Sequence, residues 1–330
     1  MIASLDFSLD SFSQTLMQTL GTQLTGTVTD LEPVRYGTTH RVFTAHWQPN
    51  EDTSTPIVIR FIHGPRAVED ARLEANALRE MSRTGYPAPE LFLLAEPPNG
   101  DPYIVMQRLS GEMLTQIAVA HPDQIPQWLD KASDLLLRLH GLDWRKGYES
   151  FKPVLEPLDF AERQIRWWKK SAQNIDDPLL QQGFGWLSSH LHSAKRCRQQ
   201  TLVHRDFYSD NILVEGTRIC GVVDWGGLTI ADPAMDIGWT RLLITANASQ
   251  ALGDSFIQSY TRRNPVVRET LPFWEVFAGC KRLTSIGLIR ANQCERLSMW
   301  AEAPDIARLV DTETVVRAFL QSRLVDEDND

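Results

Sequence analysis

The hydrophobic pattern of this chain changes period twice, and those changes bound the folds open to it. Short Val- and Ile-rich runs dominate up to Gln107: Val28 to Val34, Arg41 to Trp47, Ile57 to Ile62, Glu90 to Ala95 and Tyr103 to Gln107. Such runs bounded by turn residues read as strands, the turns here being Gly37, Pro49 to Pro56 and Pro97-Pro98-Asn99-Gly100. Two helical stretches interrupt them. Phe12, Leu16, Met17 and Leu20 predict a short docking helix over residues 10–20 that stops at Gly21. Ala67 to Arg83 repeats Ala67, Ala71, Leu78 and Met81 on one stripe, and Glu74 falls on that same stripe. A carboxylate on an apolar stripe needs a partner.

After Gly111 the pattern becomes helical. Ile125, Trp128, Leu129, Ala132, Leu135, Leu136 and Leu139 form a wide apolar face ending at His140-Gly141, and residues 159–195 read as further helix. A β island then appears: Leu202-Val203, Ile212 to Val214 and Arg218 to Val223, the last two joined by a Glu215-Gly216 turn. Everything beyond Ala231 reads as helix until the acidic tail Asp326 to Asp330. The expected fold is therefore α+β, with a small β-rich part over 1–106 and a larger, mainly helical part over 107–330. A length of 330 residues suits two such units.

Composition narrows the function. A net charge of −9 argues against a protein that lives on nucleic acid, which needs a basic footprint. Cys197, Cys220, Cys280 and Cys294 lie far apart with no C-x-x-C pair, as expected of reduced thiols in a cytoplasmic protein. The first basic residue is Arg35, so no secretory signal is expected at the start, and no membrane association.

The β island carries the chemistry. His204-Arg205-Asp206 is followed by four residues and Asn211, and Asp224 comes 13 residues after Asn211, in Val222-Val223-Asp224-Trp225-Gly226. The intervening hairpin brings Asn211, at the start of one strand, near Asp224, at the end of the other. Two hard oxygen ligands plus a free carboxylate are the inventory that Mg2+-dependent phosphoryl transfer needs. Taken singly, Asp206 and Asn211 are ordinary turn-capping residues; the spaced set is what points to chemistry.

This set, Leu202-Val203-His204-Arg205-Asp206 through Asn211 with Val223-Asp224-Trp225, resembles the two signature motifs of the aminoglycoside phosphotransferase (choline kinase-like) family. Asp232-Pro233-Ala234-Met235-Asp236 is similar to the D-P-x-x-D segment of that family. The resemblance covers most of the chain and implies a bilobal protein-kinase-like fold that binds ATP and Mg2+. It implies Asp206 as catalytic base and Asn211 and Asp224 as metal ligands. Tyr36-Gly37-Thr38-Thr39-His40 stands where the family has its phosphate-covering loop, so Gly37, Thr38 and Thr39 become nucleotide contacts, although one glycine replaces the usual two. Arg60 occupies the place of the phosphate-binding lysine, with Glu74 as its partner; Arg and Lys are not interchangeable there. Ile104 to Gly111 resembles the hinge, with Met106 lining the adenine pocket and backbone groups near Gln107 and Leu109 bonding the base.

Departures from protein kinases shape the expected acceptor. Tyr208 stands where protein kinases commonly carry a lysine, and only seven residues, Trp225 to Ala231, separate Asp224 from Asp232. No A-P-E segment follows. That leaves no peptide-binding platform, so the implied activity is transfer of the ATP γ-phosphate to a hydroxyl of a small molecule. Arg205 lacks a phospho-loop partner and is expected to be a structural hydrogen-bonder. Arg166, Trp167, Trp168 and Trp239 are candidates for the acceptor pocket. The basic residues Arg163, Arg166, Lys169 and Lys170 disfavour a polycation; antibiotics, sugars, amino alcohols and other metabolites stay open, as does ATP against GTP. The rival reading is a catalytically weak nucleotide-binding module, a pseudokinase, motivated by Arg60 and the glycine-poor loop.

Overall fold

Alternation along β3 (Thr53–Phe61) sorts its side chains: Ile57, Ile59 and Phe61 are buried on one face, and Val58 and Arg60 point to the other. In the computed structural model, which describes residues 3–34, 41–146, 154–291 and 309–324, this strand is the centre of a five-stranded antiparallel sheet. Its spatial order is β1 (Thr27–Pro33), β2 (Arg41–Asn50), β3, β5 (Tyr103–Gln107), β4 (Leu91–Ala95). Helix α1 (Ala3–Leu24) covers the face carrying Ile57, Ile59 and Phe61: Leu16 and Leu20 join their core, and Phe12 lies 5.9 Å from Phe43 and 6.1 Å from Phe61, ring to ring. Helix α2 (Ala67–Thr84) packs beside β4 and β5 and ends at Gly85, whose φ of 65° is the left-handed stop that glycine accepts readily.

The chain divides into two compact units, one running to Ser110 and the other starting at Gly111. The second is built from helices around two small sheets. Helices α3 (Leu114–Ala120), α4 (Ile125–His140), α5 (Pro157–Ser171) and α6 (Pro178–Ser189) precede β7 (Thr201–Val203), β8 (Ile212–Glu215), β9 (Arg218–Val222) and β10 (Thr229–Ala231). Helices α7 (Ala234–Asn247), α8 (Gln250–Thr261) and α9 (Leu271–Arg290) follow, then a helix over Glu313–Leu324. Strand β7 pairs with β10, and β8 pairs with both β9 and a two-residue strand β6 (Glu112–Met113). The core is aromatic: Phe207, Trp225, Phe256, Tyr260, Phe273, Trp274 and Phe277 are fully buried.

Four details differ from the sequence expectation. Helix α1 does not stop at Gly21 but passes through it; a Cβ there would stand 2.8 Å from the Gly26 carbonyl oxygen, so this glycine permits a close approach rather than an end. The presumed turn Pro49 to Pro56 is mostly strand, because Pro56 pairs opposite His46 and its carbonyl accepts the Arg108 N–H at 2.9 Å. Residues 159–195 break in two. Asp177 caps α6 by accepting from Leu179 and Leu180 N–H, and Pro178 takes the first position, where no N–H is missed. Strand β10 follows Asp224 and reads too short to detect alone. Gly37, Thr38, Thr39, Cys294 and the acidic tail lie outside the described residues.

Helices α7 and α9 approach closely at Gly238, where a Cβ would meet the Trp274 backbone at 3.0 Å. Gly238→Ala is therefore expected to destabilise by about 1–3 kcal/mol through overpacking, read as a lower urea midpoint.

Candidate active site

Strand β7 ends at Val203 and delivers His204, Arg205 and Asp206 into a loop whose backbone is strained at one point: Arg205 has a φ of 71°. The left-handed region is costly for a residue with a Cβ. The buried carboxylate of Asp236, in the first turn of α7, holds the loop there. Its Oδ1 accepts the Arg205 N–H at 2.6 Å, and its Oδ2 accepts the His204 N–H at 2.7 Å. Oδ2 also meets His140 Nε2 at 3.1 Å. Behind it, Asn264 Nδ2 donates to the Tyr260 hydroxyl at 3.2 Å, and that hydroxyl lies 2.6 Å from His140 Nδ1. Hydrogens run consistently along this chain as Asn264 to Tyr260 to His140 to Asp236. Burial alone would raise the Asp236 carboxyl, but the hydrogen bond from His140, with that from the His204 N–H, holds it below the ordinary carboxylate value.

His204 is fully buried and splices two segments. Its Nδ1 accepts the Asp206 N–H at 3.3 Å, so Nε2 carries the proton and donates to the Val223 carbonyl at 3.1 Å. The imidazole thus ties the loop to the residue preceding Asp224. A Cβ on Gly227 would sit 2.7 Å from the His204 carbonyl oxygen, which explains the second glycine after Trp225.

Asp206 is half-exposed and held at both carboxylate oxygens. Trp239 Nε1 donates to Oδ1 at 2.8 Å, and Asn211 Nδ2 donates to the Asp206 carbonyl at 2.8 Å and to Oδ2 at 3.3 Å. With its amide nitrogen so engaged, Asn211 turns Oδ1 away as an acceptor. The Val223 N–H donates to the Asn211 carbonyl at 2.9 Å, continuing the Ile212–Val222 pairing, so Asn211 lies alongside the residue before Asp224. Asp224 itself adopts a left-handed φ of 66°. The structure therefore brings Asp206 and Asn211 into contact and sets Asp224 one residue from Asn211's backbone partner. Two hard oxygen donors, one amide and one carboxylate, fit Mg2+, which takes few protein ligands and completes its shell with phosphate oxygens and water. Among the described residues no group of three or more His, Cys, Asp or Glu side chains forms a self-sufficient metal cage.

In the N-terminal unit, Arg60 Nη1 lies 3.0 Å from Glu74 Oε1, with both side chains largely buried. The charge expected from the apolar stripe of α2 thus has its partner. Met106 is buried, and the Gln107 N–H is committed to the Glu90 carbonyl at 2.8 Å. Leu109 is half-buried beyond the end of β5.

A family model described as the phosphotransferase enzyme family matches residues 30–275. The chain belongs to this family. Among curated relatives, acyl-CoA dehydrogenase family member 10 of Mus musculus is 26% identical over 179 residues, which is 51% of this chain and 16% of that protein. The uncharacterised protein YcbJ of Bacillus subtilis is 25% identical over 119 residues, 32% of this chain and 34% of its own length. The matched stretches thus cover well under half of either relative. An aminoglycoside phosphotransferase crystallised with ADP and hygromycin B superposes with a TM-score of 0.68 at 16% identity, covering 96% of this chain and 100% of its own. A macrolide 2'-phosphotransferase from Brachybacterium faecium gives 0.60 at 16% identity over 90% and 97%. These likenesses show that the fold is that of kinase-like phosphotransferases.

Other expectations for the family site fare differently. Arg205 is structural as expected, its Nη2 donating to Gln164 Oε1 at 3.0 Å. Arg166 and Trp167 are exposed, Arg166 pairing with Glu162 at 2.7 Å, while Trp168 is half-buried. Trp239 lies on Asp206 itself. Lys281 of α9 was not foreseen: its Nζ donates to the Arg205 carbonyl at 3.0 Å and stands 3.6 Å from the centre of the Trp239 ring. Its one sequence signal is a lysine after the apolar run Val276 to Cys280.

Asp236→Asn replaces one acceptor oxygen by a donor among three donors, and is expected to cost about 3–5 kcal/mol at neutral pH, as breaking a buried charge network does. A carboxyl whose folded value is lowered contributes stability above the unfolded carboxylate range and loses it as pH falls through the folded value. Urea titrations should therefore show the gap between variant and wild type closing in acid.

Proposed function

We propose that this protein transfers the γ-phosphate of ATP, in the presence of Mg2+, to a hydroxyl of a small acceptor molecule. The observation that carries this reading is the contact of Asp206 with Asn211, together with the β8–β9 hairpin that sets Asn211 beside the residue preceding Asp224. In this reading Asp206, oriented by Trp239 and Asn211, takes the proton of the acceptor hydroxyl as its oxygen attacks the γ-phosphorus in line. The bond from that phosphorus to the bridging oxygen of ADP breaks, and ADP leaves. Asn211 and Asp224 would hold Mg2+, which when bound would neutralise charge on the phosphates.

Residues 1–106 serve as the nucleotide-binding part and 107–330 as the acceptor-binding part. Arg60, fixed by Glu74, offers a guanidinium to a phosphate, and Gly37, Thr38 and Thr39 cover the phosphates. Met106 and the backbone about Gln107 and Leu109 receive the adenine. Since the Gln107 N–H is already bonded to Glu90, the Leu109 backbone is the better candidate donor. Complexes of structural neighbours with ADP and hygromycin B, and of an aminoglycoside 2'-phosphotransferase with GDP, support a nucleotide and a small hydroxylated acceptor. The intact Arg60–Glu74 pair and the family membership favour an enzyme over a pseudokinase. Among the described residues no helix is long and apolar enough to cross a membrane.

Thermal unfolding with ATP or GTP, each with and without Mg2+, tests the metal–nucleotide site. A Mg2+-dependent rise in midpoint with ATP, lost in Asp224→Ala, is expected; no rise with either nucleotide would overturn the reading.

A further inference from the structure

In a chain with nine more acidic than basic residues, cations beside Asp206 ought to be easy to neutralise, yet they are not. The half-buried Lys281 ammonium has one hydrogen-bond acceptor, the Arg205 carbonyl at 3.0 Å, and the face of Trp239; no carboxylate among the described residues lies within ion-pair distance of it. The neighbouring Arg205 guanidinium is bonded to the neutral amide oxygen of Gln164, and its buried Nε has no partner among the described residues. Arg163 of α5 is exposed and rests on the Phe160 ring at 5.6 Å, with no ion pair among the described residues.

The nearby carboxylates are spoken for. Asp236 is saturated by His204, Arg205 and His140, Asp210 accepts from Thr115, Glu162 pairs with Arg166, and Glu275 is held by Arg241 and Arg323. Leaving a half-buried ammonium without a counter-ion is costly. Burial, with the Arg205 charge, lowers the Lys281 ammonium to about 8 although Asp206 and Asp236 oppose the shift. Both features are what a site would show if its counter-ion arrived with the ligand. Asp206 too is engaged at both oxygens, by Trp239 and Asn211, so none of these carboxylates is set aside for a polycation.

We propose that the acceptor is a small hydroxylated anion whose carboxylate or phosphate is bound by Lys281, with Arg205 and Arg163 adding to the field, while its hydroxyl faces Asp206. This rests on the phosphotransferase reading and gives it a substrate class. Lys281 is then a specificity-determining residue. Its Nζ stands over the face of the Trp239 ring whose indole N–H holds Asp206, so Lys281 and Asp206 share one side chain between them.

The test uses the full chain, with ADP release and ³¹P NMR as readouts, and acceptors matched in shape but not charge. These are 3-hydroxybutyrate against its methyl ester, glycerol 3-phosphate against glycerol, and kanamycin as polycation. At least one anion should exceed its neutral partner at least tenfold in kcat/KM, and which pair does so separates carboxylate from phosphate. Lys281→Gln should remove that advantage by raising KM for the anion at least tenfold more than for its neutral partner, and Lys281→Arg should retain it. Mg2+–ATP stabilisation of both variants verifies their fold. Equal or better use of neutral acceptors or kanamycin overturns the proposal, as does a preference that Lys281→Gln keeps, or no use of any anion by a protein that Mg2+–ATP still stabilises. Failure of the phosphotransferase reading has its own signature, loss of Mg2+–ATP stabilisation in the wild type, and would take the proposal with it.

Discussion

The Asp236 carboxylate is the anchor on which the candidate site depends. Two successive backbone N–H groups, from His204 and Arg205, converge on this one carboxylate, and the chain turns away directly after them at the left-handed φ of Arg205. A non-glycine residue in such a conformation costs about 1–3 kcal/mol. The hydrogen bonds to a buried, ionised carboxylate offset it. Asp236 stays ionised because His140 donates to it, and His140 is oriented in turn by Tyr260 of α8. Three helices, α4, α7 and α8, are thereby committed to the shape of a loop of a few residues.

From that loop the remaining geometry follows by short steps. His204 lends one nitrogen to the Asp206 N–H and the other to the Val223 carbonyl, so the start of the loop and the approach to Asp224 move as one. Asn211 binds Asp206 with its amide nitrogen and keeps its oxygen outward. Trp239 fixes the other carboxylate oxygen of Asp206 and presents its ring to Lys281. Each of these side chains has a second partner that fixes its rotamer, which is how preorganised sites reach useful precision. Thr240, one residue beyond Trp239, donates to the Phe207 carbonyl at 2.7 Å and pins the same loop from α7.

Much of this was legible in the sequence, for identifiable reasons. The H-R-D-x-x-x-x-N and Val-Val-Asp-Trp segments are local, and a tight hairpin needs no long-range information to bring Asn211 toward Asp224. Glu74 betrayed its partner because a carboxylate on an apolar helix stripe cannot be left alone, and Arg60 meets it at 3.0 Å. The break at Asp177-Pro178 was also written locally, as a cap and a first-turn proline, but the long run of aromatic and basic residues before it masked the signal. What could not be read were contacts between distant segments. His140, Tyr260 and Asp236 are separated by 96 and 24 residues along the chain, and Lys281 reaches a loop 76 residues earlier. Trp239 read as an acceptor-pocket side chain; its indole N–H instead belongs to Asp206, a direction that only the packing of α7 defines.

The central claim is that Asp206, held as it is by Trp239 and Asn211, accepts the proton of the attacking hydroxyl. Asp206→Asn tests it most directly, because the amide keeps an oxygen for the Trp239 N–H while losing the basic carboxylate. With the acceptor chosen by the shape-matched panel, turnover should fall by about 10²–10⁴, while the Mg2+-dependent rise in unfolding midpoint with ATP is retained. Turnover within a few-fold of the wild type would contradict the account.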